Sequence, residues 1–302
     1  MIINMQKDIN ELSKVYSVQG RIFEEYKKNA ILTLTTGKRP SKDKTLIIVG
    51  GQSGAGKSRL IPIAKQELDN NAIIVDFDEL RALHPFYKEV SENYTEITHR
   101  ILHPDTERIK NEILKFLIEN NYNVIYEGAL RNTQGFVDFA KDFKESDYKI
   151  RMNIMAVPKL ESYGSTFVRY AMALLTDTIP RWVEKSAHDA SYDGVIRTVD
   201  EFIKTGLSDE VEVFIREAER PKKIYTTQGR EYRDAIAAIE YGREVGRRKA
   251  VLDFQTKFET VRNVLKEKEP QLIERLDDWT KLYHDEAEYL SMLNKEGSEY
   301  DD

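Results

Sequence analysis

The stretch Leu46-Ile47-Ile48-Val49-Gly50-Gly51-Gln52-Ser53-Gly54-Ala55-Gly56-Lys57-Ser58 decides the fold. An apolar, largely β-branched run ends in G-x-x-x-x-G-K-S, and a helix-compatible segment, Ser58 to Leu68, follows it. The glycines let the backbone curl so that successive N–H groups point inward, which makes an anion nest at the start of a helix. In such a P-loop, Gly51, Gln52, Ser53, Gly54, Ala55 and Gly56 line the phosphates of a nucleotide. Lys57 reaches the β- and γ-phosphates, and the Ser58 hydroxyl is placed to ligate Mg²⁺. Pro62 falls in the first turns of the following helix, where its missing N–H costs little.

Outward from this motif, the pattern alternates strand and helix. A short strand, Ala72 to Phe77, carries the acidic pair Asp76 and Asp78 at its end. A helical stretch at 105–119 leads to a strand from Asn123 to Tyr126 that runs into Glu127-Gly128. A helix-like segment at 133–144 then precedes the apolar run Arg151 to Val157. This alternation predicts an α/β fold of the P-loop NTPase and kinase type, a mostly parallel sheet flanked by helices on both faces. Ligand groups in such sheets gather at the carboxyl ends of strands, which singles out Asp76, Asp78, Glu127 and Lys159.

Helical segments at 160–175 and 190–205 bracket an arginine-containing stretch from Arg169 to Arg181, and 211–215 with 223–227 reads as a hairpin. Apolar positions between 5 and 30 recur at helical spacing and predict an N-terminal helical segment over 1–40. The core domain spans 41–230, and from 231 to 302 the spacing predicts a charged C-terminal extension. In it Pro270 separates two long helices, and Glu296 to Asp302 is expected to be unordered. Tyr163 and Tyr170 read as packing residues, and His84 and His188 as structural or close to substrate. None of the five histidines forms a metal pair by spacing.

Composition narrows the setting. The 302 residues suffice for an ample core, and the absence of cysteine excludes disulfides, thiolate metal sites and a thiol nucleophile. No apolar stretch approaches the ~20 residues of a membrane span, and no signal-peptide core is seen at the N-terminus. A cytoplasmic protein is expected. The net charge of −6 argues against a general nucleic-acid binder.

The motifs, taken in order, resemble the zeta toxins, the kinase halves of bacterial epsilon–zeta toxin–antitoxin systems. They are LIIVGGQSGAGKS at 46–58, IIVDFDELRALHP at 73–85, YNVIYEGALR at 122–131, MAVPKLESYGSTFVRY at 155–170, SAHD at 186–189 and KTGL at 204–207. The resemblance covers residues 40 to 230. It implies a kinase that uses ATP, with GTP as the alternative donor, and Mg²⁺ to phosphorylate the sugar 3′-hydroxyl of UDP-N-acetylglucosamine, blocking peptidoglycan synthesis. It further implies Lys57 and Ser58 as the nucleotide and Mg²⁺ contacts and Asp78 as catalytic base. Glu127 and Arg131 would hold the sugar nucleotide and phosphates, and Arg169 and Arg181 would close over the transferred group.

Two departures stand out. Ala129 and Leu130 replace the small Thr and Gly of the family's EGTGR, and Asn111 occupies the place of a substrate-binding Glu, with Glu112 beside it.

Phosphoryl transfer needs positioning and charge more than covalent work, so Lys57, Arg169 and Arg181 suit the γ-phosphate. A carboxylate must take the acceptor's proton; Asp78 is the first candidate and Glu127 the second. Asp76 and Asp78 also suit a helix cap, and Arg169 and Arg181 a solvated surface. The second reading, motivated by Asn111 and Ala129, changes the acceptor to another nucleotide sugar, a nucleoside or a nucleic-acid end. A nucleotide-gated interaction module is the reading from outside enzymology. A helical antitoxin in trans is the implied partner, while the terminal helices could bind the core in cis, pair two copies or stand as a solvated extension.

Overall fold

The computed structural model describes residues 2–176, 178–227 and 234–298. Among the described residues six strands form one mostly parallel sheet flanked by helices: β1 Thr45–Gly50, β2 Ile73–Val75, β3 Val124–Gly128, β4 Lys149–Ala156, β5 Glu210–Ile215 and β6 Lys222–Thr226. Their order is β2-β3-β1-β4-β5-β6. β1 is buried along its whole length, as a strand covered on both faces must be, and its unbroken apolar sequence follows from that. β2 and β3 pair in parallel with Val75 opposite Tyr126, while β5 and β6 form the expected antiparallel hairpin, with a bulge at Val213/Phe214.

Two local expectations shift. The second strand stops at Val75 because the Asp76 carboxylate accepts a hydrogen bond from the Asp78 N–H and starts the helix Phe77–Ala82. The helix after the P-loop begins as a 3-10 turn, Lys57–Arg59, and becomes α-helical only over Ile61–Glu67. Pro62 cannot donate to the carbonyl four residues back, so the first turn closes instead through Arg59 N–H to Gly56 O and Leu60 N–H to Lys57 O.

The chain divides into two compact units. In the first, Met1–Ile48 with Ile61–Gly128 and Phe139–Arg151, the N-terminal helices Ile2–Val15 and Gly20–Thr35 dock through a buried acid. Asp105 accepts the Val18 N–H at 2.6 Å and lies 3.5 Å from His84 Nε2 and 3.3 Å from Arg108. Burial pushes its carboxyl up, yet the bonds from His84 and Val18 and the Arg108 charge hold it below the usual range. Tyr26 is buried nearby and donates its hydroxyl to Leu80 O at 2.6 Å, tying the second helix to the one that carries Asp78.

The second unit comprises Val49–Leu60, Ala129–Asp138 and Met152–Asp302. Its aromatic core joins Tyr163, Phe167 and Tyr170 of the helix Lys159–Leu175 to Phe254 of the helix Arg247–Lys268 and to Trp279. Pro270 opens a 3-10 stretch, Pro270–Leu276, and the last helix is Asp277–Ser298. Residues 296–298 thus continue that helix, and 299–302 lie outside the described residues.

Candidate active site

The phosphate loop is pinned from below by side chains of its own unit. Gln52 is fully buried, and its amide donates to Val157 O at 2.8 Å and to Ser162 Oγ at 3.1 Å. The curl it anchors brings Gly54, at φ +75°, against the helix Lys159–Leu175, where a Cβ would stand 1.9 Å from Ser162 O. Only glycine fits there, so the motif's spacing is enforced by contact as well as by backbone angle. Lys57 is half-buried with Nζ 3.2 Å from Gln52 O, Ala55 is buried, and the Ser58 hydroxyl is exposed.

Among the described residues no group of three His, Asp or Glu side chains forms a metal cage. Ser58 supplies one hard oxygen donor, which fits a Mg²⁺ that arrives on phosphates and keeps most of its waters.

An arginine absent from the sequence reading completes the loop. Arg216 directly follows β5; its Nη1 donates to Glu161 at 3.0 Å and Ser165 Oγ at 3.0 Å, and its Nη2 donates to Gly54 O. Arg59 answers from the other direction, donating to Glu217 O and Ala218 O at 2.8 Å each. The strand-end rule applied to four strands would have found Arg216 had it been applied to β5. Glu161, Ser165 and Arg169 lie four residues apart along the helix Lys159–Leu175, so Arg169 continues the face that holds Arg216. Arg181 is exposed, in the segment before the helix Lys185–Lys204.

The acids lie in the first unit. Asp76 caps its helix, and Asp78 in the first turn is 53% exposed with its carboxylate 2.5 Å from Arg81 Nη1. One step beyond the pair Val75 and Tyr126, the register sets Asp76 beside half-buried Glu127. Glu79 is raised first by burial and then by the Asp76 charge, with Lys65 opposing.

Asn111 and Glu112 are both exposed on the helix His103–Glu119 but diverge: Glu112 pairs with Lys27 at 3.5 Å, toward the helix Gly20–Thr35. The acid on the Asn111 face is Glu107, one turn earlier, paired at 2.5 Å with Lys110, whose ammonium lies 5.2 Å from the Phe77 ring centre. In the second unit Arg131 is exposed and follows Leu130, which keeps a left-handed φ of +51° where the family has glycine. Leu130 is fully buried, and a Cβ on Gly50 would stand 2.5 Å from its Cδ1, so the larger residue is accommodated by the glycine that ends β1.

Behind the loop, the buried His188 links it to a charged cluster. Its Nε2 lies 3.0 Å from Ser162 Oγ and its Nδ1 3.4 Å from Asp189, which pairs with Lys159 and Lys185. Tyr163 and Tyr192 flank the ring. Burial disfavours the imidazolium and pulls His188 down to about 4, although Asp189 favours the charge.

A group whose folded pKa is depressed binds fewer protons folded than unfolded. Stability is therefore expected to fall as pH drops from about 6.5, the unfolded value, towards about 4, by roughly 3 kcal/mol in all. Asp189, held below the usual range despite burial by bonds from Lys185 and Lys159, loses its share only at lower pH. Urea titrations across this window should show the slope in the parent and a flatter one in His188→Gln. Equal slopes would refute the assignment.

The sequence pattern of the family described as Zeta toxin matches residues 28–231. Toxin zeta of Enterococcus hirae is 27% identical over 215 residues, 71% of this chain and 74% of that protein. Toxin zeta of Streptococcus agalactiae is 29% identical over 206 residues, 68% of this chain and 71% of that protein.

A solved structure from the molecular and structural characterization of the PezAT chromosomal toxin-antitoxin system of Streptococcus pneumoniae superposes with a TM-score of 0.70 at 21% identity. It covers 83% of this chain and 99% of its own. A structure of the AvrRxo1-ORF1:-ORF2 complex superposes with a TM-score of 0.53 at 12% identity, over 82% of each chain. These two likenesses are of fold. With a family match that runs from before β1 to beyond β6, the chain belongs to the zeta toxin family.

Proposed function

We propose that this protein is an ATP-dependent kinase that phosphorylates the sugar 3′-hydroxyl of UDP-N-acetylglucosamine and so starves peptidoglycan synthesis. The observation that carries the reading is the phosphate loop, with Gly54 fitted against Ser162, Arg216 bonded to the same helix through Glu161, and Arg169 farther along that helix face. The loop N–H groups and Lys57 hold the β- and γ-phosphates, and Arg169 and Arg181 meet the charge that spreads over the γ-phosphoryl as it leaves ADP. Ser58 would hold a Mg²⁺ arriving with the phosphates, and the ion would add neutralisation of their charge.

The acceptor oxygen forms its bond to Pγ while the bond from Pγ to the bridging oxygen breaks, and that electron pair stays on ADP. Asp78 takes the hydroxyl proton, with Glu127 and Arg131 holding the sugar nucleotide. An ordinary carboxylate suffices, because the proton leaves late in a loose transition state.

The likeness to the zeta toxins supports a sugar nucleotide as acceptor, and a helical antitoxin in trans is proposed from the PezAT toxin-antitoxin system of the structural neighbour. Asn111 and Ala129 favour a second reading, transfer to a different nucleotide sugar.

Mass spectrometry of UDP-N-acetylglucosamine incubated with protein, ATP and Mg²⁺ tests the first. A gain of one phosphate that is absent with Lys57→Ala is the expected result. ATP turnover on another acceptor with none on this one would select the second reading, and no transfer to any hydroxyl would end both.

A further inference from the structure

The C-terminal helices grip the segment that carries Arg181. Trp182, the next residue, meets Phe167 and Tyr170 edge-on, each at 5.2 Å between ring centres. Arg275, from the 3-10 stretch before the last helix, lays its guanidinium 5.0 Å from the centre of the Trp182 ring and pairs with Glu184 at 3.5 Å. Six residues earlier, Glu269 accepts the Tyr170 hydroxyl at 2.7 Å. Trp279 stacks on Phe167 at 5.2 Å and 14°. The residues on the C-terminal side of Arg181 are thus clasped between the helix Lys159–Leu175 and the turn at 269–276.

From these contacts we infer that Arg275 and Trp182 are positioning residues for Arg181, and that the C-terminal helices support phosphoryl transfer instead of inhibiting it in cis. The inference rests on the role proposed above for Arg181. The Arg275–Glu184 ion pair is solvent-exposed, at 47% and 68% of the side chains, and is weak by itself. What Arg275 adds is a cation over an aromatic face already fixed by two buried rings. An arginine that must meet a spreading charge works by being in place beforehand, so loosening its neighbour costs turnover and not nucleotide affinity.

The test is steady-state kinetics and hydrogen exchange on the full chain with Arg275→Ala, Arg275→Lys and Arg181→Ala. Arg275→Ala is expected to lower kcat roughly three- to tenfold with KM for ATP and the thermal midpoint unchanged, and to speed exchange over 178–184. Arg275→Lys keeps a cation over the ring and should recover most of the loss. Trp182→Phe gives a second route should Arg275→Ala fold poorly, with the same split expected.

If Arg181→Ala lowers kcat and Arg275→Ala does not, the clasp is refuted while the kinase reading stands. If Arg181→Ala leaves kcat intact, the role of Arg181 fails and the clasp is judged by exchange alone. Unchanged protection of 178–184 in Arg275→Ala would then overturn it.

Discussion

Asparagine at position 78 is expected to lower kcat by about 10²- to 10⁴-fold, the range a positioned general base contributes. The substitution keeps shape and an acceptor oxygen for Arg81, 2.5 Å away in the parent, and leaves the Asp76 cap on the Asp78 N–H in place. Stability should therefore change by about 1 kcal/mol, the loss of charge assistance in one half-exposed bond. ATP affinity should hold if the loop N–H groups and Lys57 bind the phosphates as proposed.

Asp76→Asn is the informative partner, because asparagine caps a helix as well as aspartate does. A full-rate Asp76→Asn beside an inactive Asp78→Asn would separate cap from base. Turnover of Asp78→Asn within about threefold of the parent would transfer the base role to Glu127.

The parts of this protein that were legible in the sequence are those where one residue type answers to one backbone demand. Gly54 and Gly56 have positive φ, and the contact of Gly54 with Ser162 O leaves no alternative to glycine, so the motif could be read without a structure. The sheet was legible too, since β1 is an unbroken buried run and the order of strands and helices fixes the crossovers. Tyr163 and Tyr170 are buried in packing, as their helical spacing suggested.

Arg216 offered one signal in the sequence, its place directly after β5, and nothing else in its own neighbourhood distinguishes it from a surface arginine. Its meaning comes from Glu161, Ser165 and Gly54, up to 162 residues away in sequence. The same holds for Asn111 and Glu112, whose adjacency in sequence hides the helical rotation that sends Glu112 to Lys27. Asp76 was ambiguous between strand end and cap because aspartate serves both, and the bond to the Asp78 N–H decides it.

Trp279→Ala is expected to cost about 3–5 kcal/mol, the usual toll for emptying an aromatic site. The ring is 1% exposed, stacks on Phe167 and meets Phe254 edge-on at 5.2 Å. Its indole N–H has no acceptor among the described residues, so the loss is packing and strands no polar partner.

The site has a built-in control in Gly164, where a Cβ would come within 2.5 Å of the Trp279 ring. Gly164→Ala alone sets a helix gain of about 1 kcal/mol against overpacking of about 1–3 kcal/mol, and should destabilise. In the Trp279→Ala background the clash is gone and only the helix gain and partial filling of the cavity remain, so the same substitution should stabilise. Urea titration of the four proteins measures the coupling, and Gly164→Ala costing the same with and without Trp279 would show that the two do not touch in solution. The sign reversal matters for the site as well. Gly164 and Ser165 are adjacent on one helix, the first against Trp279 and the second bonded to Arg216, so a shift that relieves the tryptophan contact is passed to the phosphate loop through a single turn.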